Sequence, residues 1–367
     1  MSATLDWISL SLVPGLGLSG FWRLIDHFQS PAAVIRASRK DLLCVKGIRE
    51  GQISGLFERI EVVVRGEREL LRLNAAGAAA VAFEDPRYPA LLKELPDPPP
   101  VLYVRGRMEL LGLPSVAIVG SRAATAYGRR TAYSLANNLA NSSLTVVSGL
   151  ALGIDAESHA GALSGKGSTV AILGCGLDVV YPRQNAKLYK QIAEQGLLVS
   201  EYPLGTPPEG FRFPARNRII AGLSLGVVVV EAAKRSGSLI TAQIALDCGR
   251  EVFAVPGQVD SCKSEGAHWL LKQGAKLVQN IGDIIEELGM KGATGEKEGV
   301  VEAEINTSAL EPEAQHLLDK LDTYPIVRES LLEQVGLAPG RFSELLLILE
   351  LEGLVEILPG DKVRKRV

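Results

Sequence analysis

Residues 211–218 read Phe-Arg-Phe-Pro-Ala-Arg-Asn-Arg, a run of three arginines, one asparagine and two aromatics without an acid among them. A guanidinium is a planar, forked donor that fits phosphate, and a phenyl ring is a face on which a base can stack. Phe213, Arg216, Asn217 and Arg218 together therefore call for an anionic, base-bearing partner, which is nucleic acid. Two more groups carry related chemistry. Gly120-Ser121-Arg122 sets backbone N–H groups, a hydroxyl and a guanidinium ahead of a helix, as a phosphate cradle or as a structural turn with an exposed arginine. Ser236-Gly237-Ser238, beside Lys234 and Arg235, opens another helix and can cap it, hold phosphate, or both.

Other reactive residue types are present without a catalytic arrangement. Asp155 and His159, four apart, would share a helix face, yet Asp155 stands at the helix start, where N-capping is a cheaper account than a metal. Cys44, Cys175, Cys248 and Cys262 stand singly, with no C-x-x-C pair, as suits thiols in a reducing compartment. There is no G-x-S-x-G elbow and no cysteine with an evident base. Gly120-Ser121-Arg122 runs on to Gly128 without G-x-G-x-x-G spacing, and Gly174-x-Gly176 leads into Tyr181-Pro182, which blocks a helix start. Neither a cofactor nor a metal is implied, and the chain reads as a binding protein and not an enzyme.

Charge narrows the reading further. Thirty-nine Lys plus Arg against 42 Asp plus Glu leave a net charge of −3, so no global field steers DNA and any binding is local. With 367 residues and 47% hydrophobic content the chain can fill two or three cores. Asp6 comes early, no basic region precedes an apolar stretch, and the longest apolar runs are strand-length, so we expect a cytoplasmic protein without membrane association.

The pattern that must position these residues divides the chain into an N-terminal helical part (1–75), an α/β part (76–289), a linker (290–309) and a tail (310–367). The first part shows apolar residues at three and four spacing. Its turns Val13-Pro14-Gly15-Leu16-Gly17 and Val45-Lys46-Gly47-Ile48-Arg49 are similar to helix-hairpin-helix turns, whose glycine N–H groups approach phosphate, although a plain helical turn explains each equally well. The second part alternates β-branched runs at 115–119, 144–148, 168–173, 196–200, 226–230, 251–255 and 276–278 with helical segments, the signature of a doubly wound, Rossmann-like parallel sheet. Ligands in such folds sit beyond the carboxyl ends of the strands, so the loops after them should share one rim.

At this point the middle of the chain resembles the DprA/Smf family of single-stranded DNA-binding proteins. The resemblance rests on Tyr88-Pro89-Ala90-Leu91-Leu92, Val119-Gly120-Ser121-Arg122, Ser148-Gly149-Leu150-Ala151-Leu152-Gly153-Ile154-Asp155, Leu177-Asp178-Val179-Val180-Tyr181-Pro182, Phe213-Pro214-Ala215-Arg216-Asn217-Arg218, Arg235-Ser236-Gly237-Ser238 and Val255-Pro256-Gly257, in order. It implies single-stranded DNA binding, the loading of RecA in DNA uptake and recombination, and self-association through the doubly wound domain. It places Arg122 and the basic residue after Tyr181-Pro182, here Arg183 where the family often has lysine, in the DNA pocket, with Asn185 nearby. The expected picture has Arg122, Arg183, Arg216 and Arg218 holding successive phosphates while bases lie against apolar walls. The helix around 267–271, with Trp269, is the expected self-association or RecA surface.

The tail, with helical periodicity at 313–321, 328–335 and 340–352, then strands about a Pro359-Gly360-Asp361 turn, predicts a winged helix. Its third helix carries Arg341 against Glu344, Glu350 and Glu352, a poor phosphate reader, so a protein-contact or regulatory role is expected, and the basic end Lys362-Val363-Arg364-Lys365-Arg366 reads either as a wing contact or as a solvated terminus. Two other readings differ in class: a nucleotide-binding enzyme similar to the lysine-decarboxylase-like phosphoribohydrolases, whose P-G-G-x-G-T signature is absent here, and a protein scaffold whose arginine rim is filled by its own carboxylates.

Overall fold

The structure is a computed structural model that describes residues 3–166, 168–290, 311–321, 325–358 and 360–365. The chain forms two compact units, 1–293 and 294–367. In the first unit, nine strands among the described residues form one sheet: β1 (Ala79–Ala82), β2 (Val101–Gly106), β3 (Ser115–Val119), β4 (Thr145–Ser148), β5 (Thr169–Leu173), β6 (Leu197–Ser200), β7 (Gly226–Val229), β8 (Glu251–Ala254) and β9 (Lys276–Leu277). Their spatial order is β1-β2-β6-β5-β4-β3-β7-β8-β9. From β6 to β9 all pairs are parallel, and the chain reverses its winding direction between β3 and β7.

The all-parallel expectation is corrected at one edge, where β1 pairs antiparallel with β2 and β2 antiparallel with β6. Ala79–Ala82 is only four residues of mostly alanine, too short and too weak in β propensity to register as a strand.

Strand residues alternate between two faces because the side-chain period is two. Ala117, Val119, Val147, Val170, Ile172, Val227 and Val229 are buried under helices on one side. Val116, Ile118, Val146, Val228 and Phe253 are buried on the other. Both faces are covered, which is why these strands read as continuous apolar runs. The helices used below are α1 (Ala3–Ser11), α2 (Gly17–Phe28), α3 (Arg59–Ala75), α4 (Ala126–Asn141), α5 (Ile154–Ser164), α6 (Arg212–Leu223), α7 (Gly237–Asp247) and α8 (Glu265–Lys272).

The N-terminal helices are not set apart from the sheet. Trp7, Leu24 and Leu73 share a continuous buried cluster with Ala82, Tyr103, Ala171 and Leu198. A polar link reinforces it: the buried Glu69 carboxylate on α3 accepts from the Leu204 N–H at 2.7 Å and from Arg72 at 2.9 Å. The amphipathic pattern of 1–75 announces an apolar face but not that this face closes on the sheet. The two glycine turns have the same form, with Leu16 N–H donating to Val13 O and Ile48 N–H donating to Val45 O.

The second unit holds α9 (Pro312–Asp319), α10 (Arg328–Val335) and α11 (Pro339–Leu351) with a three-stranded antiparallel sheet of β10 (Ile326–Val327), β11 (Val355–Leu358) and β12 (Lys362–Lys365). This is the winged-helix arrangement, packed on Leu317, Phe342, Leu345, Leu349 and Val363. The expected linker lies, apart from Met290, outside the described residues, as do Pro359 and Arg366.

Candidate nucleic-acid interface

The site begins with one loop. Gly149-Leu150-Ala151 leaves the carboxyl end of β4, and its backbone polar groups are met by side chains from three directions. Asp155 Oδ2 accepts from the N–H of Gly149 at 3.1 Å and of Ala151 at 3.4 Å. His159 Nε2 accepts from Leu150 N–H at 3.3 Å, while Nδ1 lies 2.7 Å from Thr169 Oγ1. Thr169 gives its own proton to Val146 O, so Nδ1 of His159 is the protonated nitrogen and Nε2 the acceptor. Asn185 Nδ2 donates to the carbonyls of Leu150 and Ala151. Arg216 Nη1 donates to Gly149 O at 2.7 Å and also to Ile172 O.

This answers what Asp155 and His159 do together on one face of α5: they hold a loop. No group of three or more His, Cys, Asp or Glu suited to a metal occurs among the described residues. Both side chains are buried. Burial pushes the Asp155 carboxyl up, against the opposing pull of Arg216. Burial, with Arg216 nearby, pulls His159 down to about 3, so its imidazole is neutral. Gly149 leaves room for the arginine, since a Cβ there would run into the Arg216 guanidinium. Gly153 ends the loop at φ +78°, facing the carbonyls of Ser121 and Arg122, a conformation and a space that only glycine fits.

Around this loop lies a narrow slot of about 60 Å³ lined by Arg122, Gly149, Leu152, Cys175, Tyr181 and Phe213. It adjoins a cleft of about 550 Å³, large enough for a nucleotide unit, lined by Gly120, Arg122, Phe213, Asn217, Ser236 and Ser238 among others. Arg216 lies at the base of both. The exposed Arg122 guanidinium stands 5.7 Å from the centre of the Phe213 ring, and no carboxylate among the described residues pairs with it. Tyr181, 39% exposed, stacks on Phe213 with centroids 5.2 Å apart and planes 28° from parallel. The start of α7 faces the cleft through Ser236, Gly237 and Ser238; Ser236 Oγ caps it by accepting from Ser238 N–H at 3.3 Å.

The expected residues thus separate. Gly120, Arg122, Phe213, Arg216, Asn217, Ser236, Gly237 and Ser238 come together in the lining. Ser121, Arg183, Asn185 and Arg218 stay outside it. Ser121 gives its N–H to Glu231 O, and Asn185 spends its amide on the loop. Arg183 is exposed beyond Pro182.

Arg218 is the clearest departure from the row of phosphate-holding arginines. It bonds Glu201 and lies 3.5 Å from Asp97. Two residues along a helix turn the side chain by roughly 200°, so Arg216 and Arg218 face opposite ways. A second correction concerns the start of α4 after Gly120-Ser121-Arg122. The Glu231 carboxylate accepts from Thr125 N–H at 3.0 Å and from its hydroxyl, so an internal anion already holds that helix end. The start of α7 faces the cleft, as do the first residues of α6 and α5. Tyr181 lines the cleft although the sequence did not single it out; its signal is an aromatic in a glycine-rich loop of the same rim.

On α8, Ala267 and Leu270 are core and Trp269 is 48% exposed, which separates the apolar residues the sequence could not assign. Among the described residues no helix is long and apolar enough to cross a membrane.

Comparison with known proteins supplies the context for this geometry. The family described as DNA recombination-mediator protein A matches residues 79–289, and the DprA winged helix domain matches 301–361. The Smf protein of Synechocystis sp. is 35% identical, covering 98% of each chain. The X-ray structure of DNA processing protein A from Streptococcus pneumoniae superposes with a TM-score of 0.69 at 37% identity, covering 78% of this chain and 99% of that one. The structure of DNA processing protein A from Helicobacter pylori, described as giving insight into its unique single-stranded DNA binding mode, aligns with a TM-score of 0.53 at 34% identity, over 57% of this chain and 95% of that one. On the sequence match across the sheet, the match across the tail and the shared fold, the chain belongs to the DprA/Smf family of DNA-processing proteins.

Proposed function

We propose that the cleft binds single-stranded DNA with little base preference and presents it to a RecA-type recombinase, as the family's description as a recombination mediator suggests. The observation that carries this is Arg122, free of any carboxylate partner among the described residues, set beside the Phe213–Tyr181 stack. Phosphate takes the guanidinium and the α7 start, while a splayed base takes the aromatic face. Duplex DNA keeps its bases inside and cannot use such a face. The binding is local, consistent with the net charge of −3. Arg183, exposed on the same rim, extends the phosphate path. A homodimer through the sheet domain, with Trp269 at its surface, belongs to the same reading and is checked by light scattering at micromolar concentration.

The acid–base groups around the cleft support a binding role and not catalysis, because each is committed elsewhere. His159 uses both ring nitrogens, Asp155 holds two backbone amides, and burial pushes the Cys175 thiol up to about 11, away from a thiolate nucleophile. The test is fluorescence anisotropy of single-stranded and duplex oligonucleotides of equal length at two salt concentrations. Preference for the single strand, lost on Arg122→Ala, is expected. Equal binding of both forms, or turnover of a mononucleotide, overturns the reading.

A further inference from the structure

We propose that α11, the third helix of the winged-helix unit, is a docking face for a basic amphipathic helix of a partner protein. Phe342, Leu345, Leu346 and Leu349 fill the core on its inner side. Its outer side carries a second apolar stripe: Leu347 is 55% exposed, Ile348 37% and Leu351 79%. Leu347 and Leu351 are four apart and Ile348 and Leu351 three apart, so the three adjoin on the helix surface. A helix apolar on both sides is characteristic of one buried on both sides, and the described residues of this unit leave these three side chains exposed.

The rim chooses the occupant. Glu344, Glu350 and Glu352 are exposed around the stripe. The one arginine of α11, Arg341, is taken by Glu311, by Glu313 at 2.8 Å and by Glu344 at 3.1 Å. A phosphate backbone meets carboxylates here, so this helix does not read a groove. A second copy of the face brings glutamate against glutamate. The adjoining stretch 291–310 carries Glu296, Glu298, Glu302 and Glu304 against Lys291 and Lys297, the same sign again. A helix with leucine-type anchors at three and four spacing and Lys or Arg beside them satisfies both the stripe and the rim.

The experiment uses the full chain and a fluorescein-labelled peptide of leucine and lysine, about 18 residues long, or five turns. Its leucines are set at helical spacing, with a scrambled peptide of the same composition as control. The patterned peptide is expected to bind at least about tenfold tighter than the scrambled one, a difference of about 1.4 kcal/mol. The double variant Leu347→Ser/Leu351→Ser should lose that advantage and keep its binding of single-stranded DNA. If that variant fails to fold by circular dichroism, Glu344→Lys is used, and several-fold weaker peptide binding is expected. Equal affinity for the two peptides, or undiminished binding by the variants, overturns the proposal. So does a change of oligomeric state on Leu347→Ser/Leu351→Ser, which would assign the face to self-association.

Discussion

Asp155 and Arg216 hold the same glycine from opposite sides: the carboxylate accepts from Gly149 N–H at 3.1 Å, and the guanidinium donates to Gly149 O at 2.7 Å. Sixty-one residues apart in sequence, they fix the two peptide groups that flank Gly149 at the floor of the cleft. Asp155→Ala leaves the buried Gly149 N–H and the half-buried Ala151 N–H without that acceptor, at up to about 1–3 kcal/mol each. We expect a loss of about 2–5 kcal/mol in urea unfolding. Asp155→Asn, which keeps one acceptor oxygen, should lose less. Equal stability of wild type and Asp155→Ala would show that the loop does not need this hold.

His159 makes the same loop sensitive to acid. Its folded pKa of about 3 lies below the ordinary 6.5, so the folded state binds fewer protons than the unfolded one. The contribution is fully present above about pH 6.5 and is lost as the pH falls towards 3, at up to about 1.4 kcal/mol per pH unit. Asp155 and Glu201, both raised by burial, act in the other sense: their contributions are present at the lowest pH and fade as it rises through their folded values. The two carboxylates are common to wild type and His159→Gln, so the difference between the proteins isolates the histidine. As the pH falls from 6.5 to 5, the unfolding free energy of wild type should drop relative to that of His159→Gln, whose amide can still accept from Leu150 N–H.

The parallel core was legible because both its faces are covered, so its strands are short apolar runs, and β3, β4 and β5 are each followed by a glycine. The rim followed from topology. What the sequence did not carry was direction. Arg122, Arg216 and Arg218 look alike as letters, yet one is exposed over a ring, one is buried on a loop and one is paired with Glu201. The groups that decide this, the Gly149 and Ile172 carbonyls and the Glu201 carboxylate, belong to other elements, and neither spacing nor composition links them to these arginines. The antiparallel edge and the docking of 1–75 on the sheet were hidden for a related reason, since both depend on contacts that no local period records.

Arg122→Ala and Arg218→Ala should therefore fail differently. Removing Arg122 deletes an exposed charge and is expected to leave stability within about 0.5 kcal/mol of wild type. It should weaken single-stranded DNA of every sequence alike and lower the salt slope by about 0.7, the share of one neutralised phosphate on a single strand. Removing Arg218 strands the Glu201 carboxylate, which is 11% exposed, at about 3 kcal/mol of folding stability. Its DNA affinity, measured where both proteins are folded, should change little. A large binding loss in folded Arg218→Ala would return this residue to the phosphate path.

The aromatic pair gives the sharpest test of how the strand lies. If a base stacks against Tyr181 and Phe213, then Tyr181→Ala costs about 1–3 kcal/mol of binding, because it removes a ring that is 39% exposed and supports its neighbour. An oligonucleotide with abasic sites keeps its phosphates and loses the stack. Wild type should then bind it about as weakly as Tyr181→Ala binds the intact strand, and the substitution should have almost no further effect on the abasic ligand. Additive losses would mean that tyrosine and base act in different places. The double comparison separates stacking from a general loosening of the rim, since loosening would weaken both ligands to the same degree.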